Sequence, residues 1–319
     1  MEQHLKGFLR DMEIRNYSPY SVLKYARCLR IFFEFLKSKR ISDLKRIGRD
    51  ELREYTEYLG LKTFYSPSYV GANIRALKLF FKYLKRSKVI LFDFSVLLKE
   101  PKMPKQLPKE PLTLTEVKQM LETPDLRIPR GIRDRAILET FYSTGIRVQE
   151  MSRLTLLDID LENGLLTVRE GKGGKDRVVP LGKHASFYIS TYLEGARPLL
   201  LEKDKQPKAV KTNRLWLNKF GGPLGKQVIV DMVKQYRKQA GITKQVTAHS
   251  FRRTLAVELI RNECDFLSVK NILGHSSSAT TLRYCALSGV DLKDAMKKCH
   301  PRYGSEEVED ATPNIQSMG

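Results

Sequence analysis

The 319-residue sequence predicts a mainly α-helical protein with one small β-sheet, divided into two domains. Three observations carry that prediction. Apolar residues recur at helical spacing on both sides of residues 101–111. That stretch itself holds four prolines and three lysines. Further on, two strand-like runs, Leu165-Leu166-Thr167-Val168 and Arg177-Val178-Val179-Pro180-Leu181, flank the glycine-rich segment Gly171-Lys172-Gly173-Gly174-Lys175. The length is sufficient for two domains with separate cores.

In chain order, Tyr17-Ser18-Pro19 and Tyr65-Ser66-Pro67 each set an N-cap serine before a proline at the first helical position. Each opens a stripe: Ile31, Phe32, Phe33, Phe35 and Leu36 in the first correspond to Leu79, Phe80, Phe81, Tyr83 and Leu84 in the second. Two such helices with shorter ones between them predict a bundle over 1–100, with these aromatics in its core. Proline fixes φ and restrains its predecessor, so 101–111 reads as an extended basic linker. Thr113-Leu114-Thr115-Glu116 has the form of a capping box and opens a second domain over 112–303. Gly145, Arg147 and Glu150 make a loop-to-helix turn in which the acid can buttress the arginine. The two strand-like runs predict a β-hairpin. Thr247 is the expected N-cap of a helix that carries His249 and Arg252 on one face, near its positive end. Gly274 reads as the residue that stops a helix, with His275 just beyond. Val290, Leu292, Ala295 and Met296 form an apolar face on a helix across 290–299. Residues 304–319 are acidic, without a stripe, and are expected to be disordered.

Lysine and arginine number 57 against 36 acidic residues, a net charge of +21 with a sequence pI of about 9.8. Residues 1–100 carry 21 basic and 11 acidic groups, and 101–303 carry 36 and 21, so both candidate domains are basic. A charge of this size on both parts points to nucleic acid as the partner. The four cysteines form no CxxC pair, which favours a reducing compartment. The five histidines lack zinc-ligand spacing, so no metal or cofactor is expected. With no apolar run of membrane-spanning length and no apolar leader after Met1, the expectation is a cytoplasmic protein without a membrane partner.

The candidate chemistry lies in a few residues. A phosphodiester under attack gains negative charge and needs fixed cationic donors. Arginine suits this, since its planar fork spans two oxygens and never loses its charge. Arg147 and Arg252 are the candidates. His249 and His275 can hydrogen bond or move a proton, and Lys172 sits on a turn whose glycines allow close backbone approach. Tyr284, nine residues after His275 in Thr280-Thr281-Leu282-Arg283-Tyr284, is the candidate nucleophile. A phosphate-cradling loop is excluded at 171–175, because the segment lacks the GxxxxGK[ST] pattern.

In order and spacing, Arg147, Lys172, His249-x-x-Arg252, Leu273-Gly274-His275 and Tyr284 resemble the tyrosine site-specific recombinases. The likeness is strongest to the Xer-type members, which share the His300-Pro301-Arg302 ending. The resemblance covers nearly the whole chain. It implies a SAM-like, DNA-clamping core-binding domain over 1–100 and an α+β catalytic domain over 112–303. It implies that Tyr284 forms a 3′-phosphotyrosyl bond and that Lys172 protonates the leaving oxygen, with Lys175 the alternative three residues away. It assigns His249 to proton transfer or tyrosine orientation, His275 to the scissile phosphate, and Glu150 to support of an arginine. The implied partners are double-stranded DNA and three further copies of the chain, in a homo-tetramer on two sites that works through a Holliday junction, with room for a second recombinase or accessory protein. The final helix is expected to dock into the neighbouring protomer. A type IB topoisomerase, or a DNA-binding regulator on an inactive scaffold, are the alternative readings. One departure from the family is Cys285-Ala286-Leu287 directly after the tyrosine.

Overall fold

The computed structural model describes residues 1–61, 65–102, 109–169, 176–202 and 212–274. The chain divides into two compact units that part between Gln106 and Leu107.

Among its described residues, the first unit contains four α-helices: α1 (Glu2–Ile14), α2 (Pro19–Ser38), α3 (Arg49–Leu61) and α4 (Pro67–Arg86). Both expected serine caps are present. Ser18 accepts from the N–H of Ser21 and Ser66 from that of Tyr69, each at 3.2 Å. Each proline occupies the first turn, where its missing N–H costs nothing. The paired aromatic stripes are core. Phe32, Phe80 and Phe81 are fully buried. Phe32 meets Tyr55 edge-on at 4.8 Å and Phe33 meets Phe80 edge-on at 5.7 Å. Such edge-to-face contacts add about 0.5–1.5 kcal/mol each beyond the area buried. With the aromatics used in packing, they are not a platform for stacked bases. Glu100 pairs with Arg75 at 3.0 Å, and the chain at Pro101 still runs close beside Gly71 of α4. The centre of the expected linker, 103–108, lies outside the described residues.

The second unit opens with α5 (Leu114–Glu122), where the capping box is complete: Thr113 accepts from the N–H of Glu116 at 3.1 Å, and Glu116 accepts from that of Thr113 at 2.7 Å. There follow α6 (Pro129–Thr144), α7 (Val148–Arg153), β1 (Ile159–Asp160), β2 (Leu165–Val168) and β3 (Arg177–Pro180). Next, α8 (Lys183–Thr191) continues through a π-turn into α9 (Arg197–Leu201), before α10 (Lys226–Gln239), α11 (Ala248–Arg261) and α12 (Phe266–Leu273). The strands form one antiparallel sheet in the order β1-β2-β3, with Leu166 opposite Val179 and Val168 opposite Arg177. The expected hairpin is therefore present. Strand β1 was not foreseen, because two residues carry no alternation to detect.

Helix α6 lies at the centre of this unit and is buried on nearly every side. Its sequence has no polar stripe because it has no wet face. The charges it carries inward are paired: Asp134 accepts from Arg133 at 2.6 and 2.9 Å and from the Tyr236 hydroxyl at 2.8 Å. Burying an unpaired charge would cost several kcal/mol, so these partners are a condition of the packing. Helix α11 packs on α6, and Phe251 stacks on Phe141 at 6.3 Å. Among the described residues, no helix is long and apolar enough to cross a membrane, and no group of three His, Cys, Asp or Glu could hold a metal ion.

Candidate active site

Two glycines in left-handed backbone set the corner on which Arg147 and Arg252 converge. Gly145 ends α6 at φ 60° and Gly274 ends α12 at φ 59°. A Cβ at Gly145 would come within 3.0 Å of Leu273 Cδ2 and 3.1 Å of Leu255 Cδ2. The conformation and the space both call for glycine. The end of α6 consequently packs directly against the side chains of Leu273 on α12 and Leu255 on α11.

Arg252, the fifth residue of α11, enters this corner from below and is only 1% exposed. Its Nη1 donates to the Gly145 carbonyl at 2.7 Å, and its Nη2 to the Leu273 carbonyl. Both acceptors are carbonyls at helix C-termini, which lack intrahelical donors and carry partial negative charge. One guanidinium therefore ties the ends of α6 and α12 together. Arg147 is the N-cap of α7, two residues beyond Gly145, and its Nη2 donates to the Gly274 carbonyl at 3.2 Å. The two arginines, 105 positions apart in the sequence, share one backbone corner.

Glu150 reaches Arg147 as the spacing predicts. Its carboxylate accepts from Arg147 Nη1 at 2.6 Å and from the Arg147 backbone N–H at 2.8 Å. It also accepts a fork from Arg177, at 3.1 Å from Nη1 and 2.8 Å from Nη2. Burial alone would push the Glu150 carboxyl up. The hydrogen bonds from Arg177 and from the Arg147 backbone, with the charges of both arginines, outweigh it and hold the group down at about 2. Glu150 thus stays ionised across the physiological range. Its contribution to stability is present above the ordinary carboxylate pKa and is lost as pH falls towards 2.

Arg177 was absent from the sequence-derived candidates. The signal was available in the strand alternation. Arg177 lies across from Val168 and on the same face as Val179, both core residues, so its side chain had to find a buried partner.

His249 is the second residue of α11, one turn before Arg252. The helix starts where predicted, at Thr247, although the cap works in reverse: the Ser250 hydroxyl accepts from the Thr247 N–H at 3.1 Å. His249 retains surface exposure, yet loss of water around its ring, followed by the charges of Arg252, Arg253 and Arg147, lowers its pKa below the ordinary imidazole value. A neutral imidazole can accept a proton at neutral pH. In the free protein, the His249 ring is expected to titrate with a midpoint below 6.5 by NMR, and to move upward when a phosphate-bearing duplex is added. A midpoint at or above 6.5 in the free protein would contradict the electrostatics of the corner.

Lys172, His275 and Tyr284 lie outside the described residues, as do Lys175, the 290–299 segment, the His300-Pro301-Arg302 ending and the 304–319 tail. Their neighbours in sequence are described. Strand β3, on which Arg177 lies, begins five residues after Lys172 in the sequence, and Gly274, whose carbonyl accepts from Arg147, is the residue before His275 in the sequence.

Residues 110–289 match the phage integrase family, and residues 5–90 match the phage integrase N-terminal SAM-like domain. Tyrosine recombinase XerD of Staphylococcus saprophyticus is 35% identical over 303 residues, covering 95% of this chain and 100% of that protein. XerD of Staphylococcus aureus is similar to the same extent, 35% over 303 residues with 95% and 100% covered. Among solved structures, the XerH site-specific recombinase bound to palindromic difH substrate, in a post-cleavage complex, superposes with a TM-score of 0.68 at 26% identity, covering 89% of this chain and 81% of that one.

Proposed function

The chain belongs to the phage integrase family, among its Xer-like tyrosine recombinases, and from that membership we propose that it is a site-specific DNA recombinase whose cleavage centre is the corner of Arg147, His249 and Arg252. The observation that supports this most is the convergence of two distant arginines on the carbonyls around Gly145 and Gly274, next to a histidine with a lowered pKa. Two fixed guanidinium groups match the non-bridging oxygens of a phosphodiester. In this reading, Tyr284 Oη attacks the scissile phosphorus while its proton passes towards His249. The bond from phosphorus to the 5′ oxygen breaks, and Lys172 gives that oxygen a proton. The product is a 3′-phosphotyrosyl ester with a free 5′ hydroxyl. Attack by the 5′ hydroxyl of a partner duplex then restores a phosphodiester, so bond energy is conserved and neither ATP nor metal is required. Four copies on two sites exchange strands in pairs through a Holliday junction. DNA is held through both basic units, mostly by phosphate contacts that weaken with salt.

The test is covalent capture. A duplex nicked close to the cleavage site loses its 5′ hydroxyl fragment by diffusion, which leaves protein attached to the 3′ end. Peptide mapping should find the DNA on Tyr284, and capture should proceed in EDTA. Attachment through a 5′ end, or through another residue, would overturn the reading.

The lysine can be tested on its own. Lys172→Ala is expected to cleave ordinary duplex about 10²-fold more slowly, the loss of one general acid. It should recover on a duplex whose 5′ bridging oxygen is replaced by sulfur, which leaves without a proton. Recovery by Lys175→Ala instead would transfer the role to Lys175.

A further inference from the structure

Glu150 presents an unequal balance of charge: one buried carboxylate faces two guanidinium groups. Arg177 makes a two-pronged contact, and Arg147 makes one side-chain contact. Arg177 is also held from behind. A Cβ at Gly274 would come within 2.8 Å of its Cδ and 2.9 Å of its Nε, so its stem is wedged against the end of α12. Its side chain is 12% exposed, whereas that of Arg147 is 30% exposed. Its Nε is buried and has no hydrogen-bond partner among the described residues.

We propose that Arg177 is a positioning residue for DNA cleavage: its fork saturates Glu150, so that the cluster keeps a net positive charge and Arg147 keeps its outward reach for the scissile phosphate. The proposal rests on the recombinase reading of this corner. The physical reason lies in what Glu150 would do alone. A carboxylate and an arginine favour a planar contact through two parallel hydrogen bonds. Without Arg177, Glu150 would draw Arg147 inward into that arrangement. The local charge would fall from one net positive to zero, and less of it would remain for a phosphate. With Arg177 in place, Glu150 anchors Arg147 through the backbone N–H and one Nη, and the second guanidinium restores the positive balance. Arg177 also links β3, which follows Lys172 in the sequence, to α7. One side chain thereby couples the strand after the candidate acid to the arginine that meets the phosphate.

A double-mutant cycle on capture rates with nicked duplex tests this. Arg177→Met should slow capture about tenfold while duplex binding persists, as a partial loss of one transition-state donor. Glu150→Gln placed on Arg177→Met should raise the rate again, because it removes the charge that draws Arg147 inward. A purely structural role predicts losses that add. Arg177→Met cleaving at the wild-type rate, or a double variant slower than either single one, would overturn the proposal. If Arg177→Met does not fold, Arg177→Lys carries the test, since it preserves the charge. A partial loss, smaller than that of Arg147→Ala, supports the proposal, because lysine keeps the charge and not the fork; a rate equal to wild type, or one as low as that of Arg147→Ala, overturns it. A wild-type protein that captures no duplex would defeat the recombinase reading and the role of Arg177 with it. Equal capture by wild type and Arg177→Met would defeat the role of Arg177 alone.

Discussion

Tyr284→Phe is expected to bind duplex as the wild-type protein does and to form no covalent complex at all. The substitution removes a single oxygen, and that oxygen is the atom proposed to join phosphorus. Binding should persist because it draws on a net charge of +21 spread over both basic units, not on one phenol. Another hydroxyl would substitute only if it reached an in-line position within about 3–3.5 Å of the phosphorus. Denaturing gels of protein incubated with nicked duplex measure the complex, and filter binding or gel shift measures affinity. Covalent complex formed by the phenylalanine variant would remove Tyr284 from its assigned role.

The arginines should show the next largest effect, and the two should differ in a way that follows from their burial. Loss of one transition-state donor costs about 10²–10³ in rate. Arg147→Ala should lose that much while melting close to wild type, because Arg177 still pairs with Glu150. Arg252→Ala should lose rate and also stability. It leaves the Gly145 and Leu273 carbonyls without their shared donor, at about 1–3 kcal/mol for each buried group left unsatisfied. Lysine at either position should not restore full activity, because it cannot span two oxygens. Single-turnover cleavage at saturating protein, beside thermal melts, separates the two outcomes. If affinity fell as far as rate in both variants, these residues would be ordinary phosphate anchors.

Arg147 and Arg177 differ in how much of their surroundings the sequence alone encodes. Arg147 was legible because Gly145 before it and Glu150 three residues after it form a local pattern, and local patterns survive in a linear reading. The same holds for the serine caps at 18 and 66, the capping box at 113–116, the aromatic stripes of α2 and α4, and the stop at Gly274. Arg177 has no such local pattern, because its partner lies 27 residues away across a helix and two strands. Only an inward-facing charge in a short strand hinted at it. Helix α6 hid its central place for a related reason, since a helix covered on all sides has no periodicity to read.

The amino-acid sequence by itself determined the mainly helical class, the two basic parts, the hairpin and the residue types proposed here for phosphodiester chemistry. These depend on caps, periods of 3.6 and 2, glycine conformations and charge, all of which act within a few residues along the chain. The tertiary structure alone decided that Arg252 would be buried as a tie between the ends of α6 and α12, that Glu150 would hold two arginines, and that His249 would lie where burial and cations lower its pKa. Those outcomes depend on which distant groups share a small volume of low dielectric. There, Coulomb and hydrogen-bond energies are several-fold larger than along an exposed helix, and no spacing within the sequence encodes that proximity.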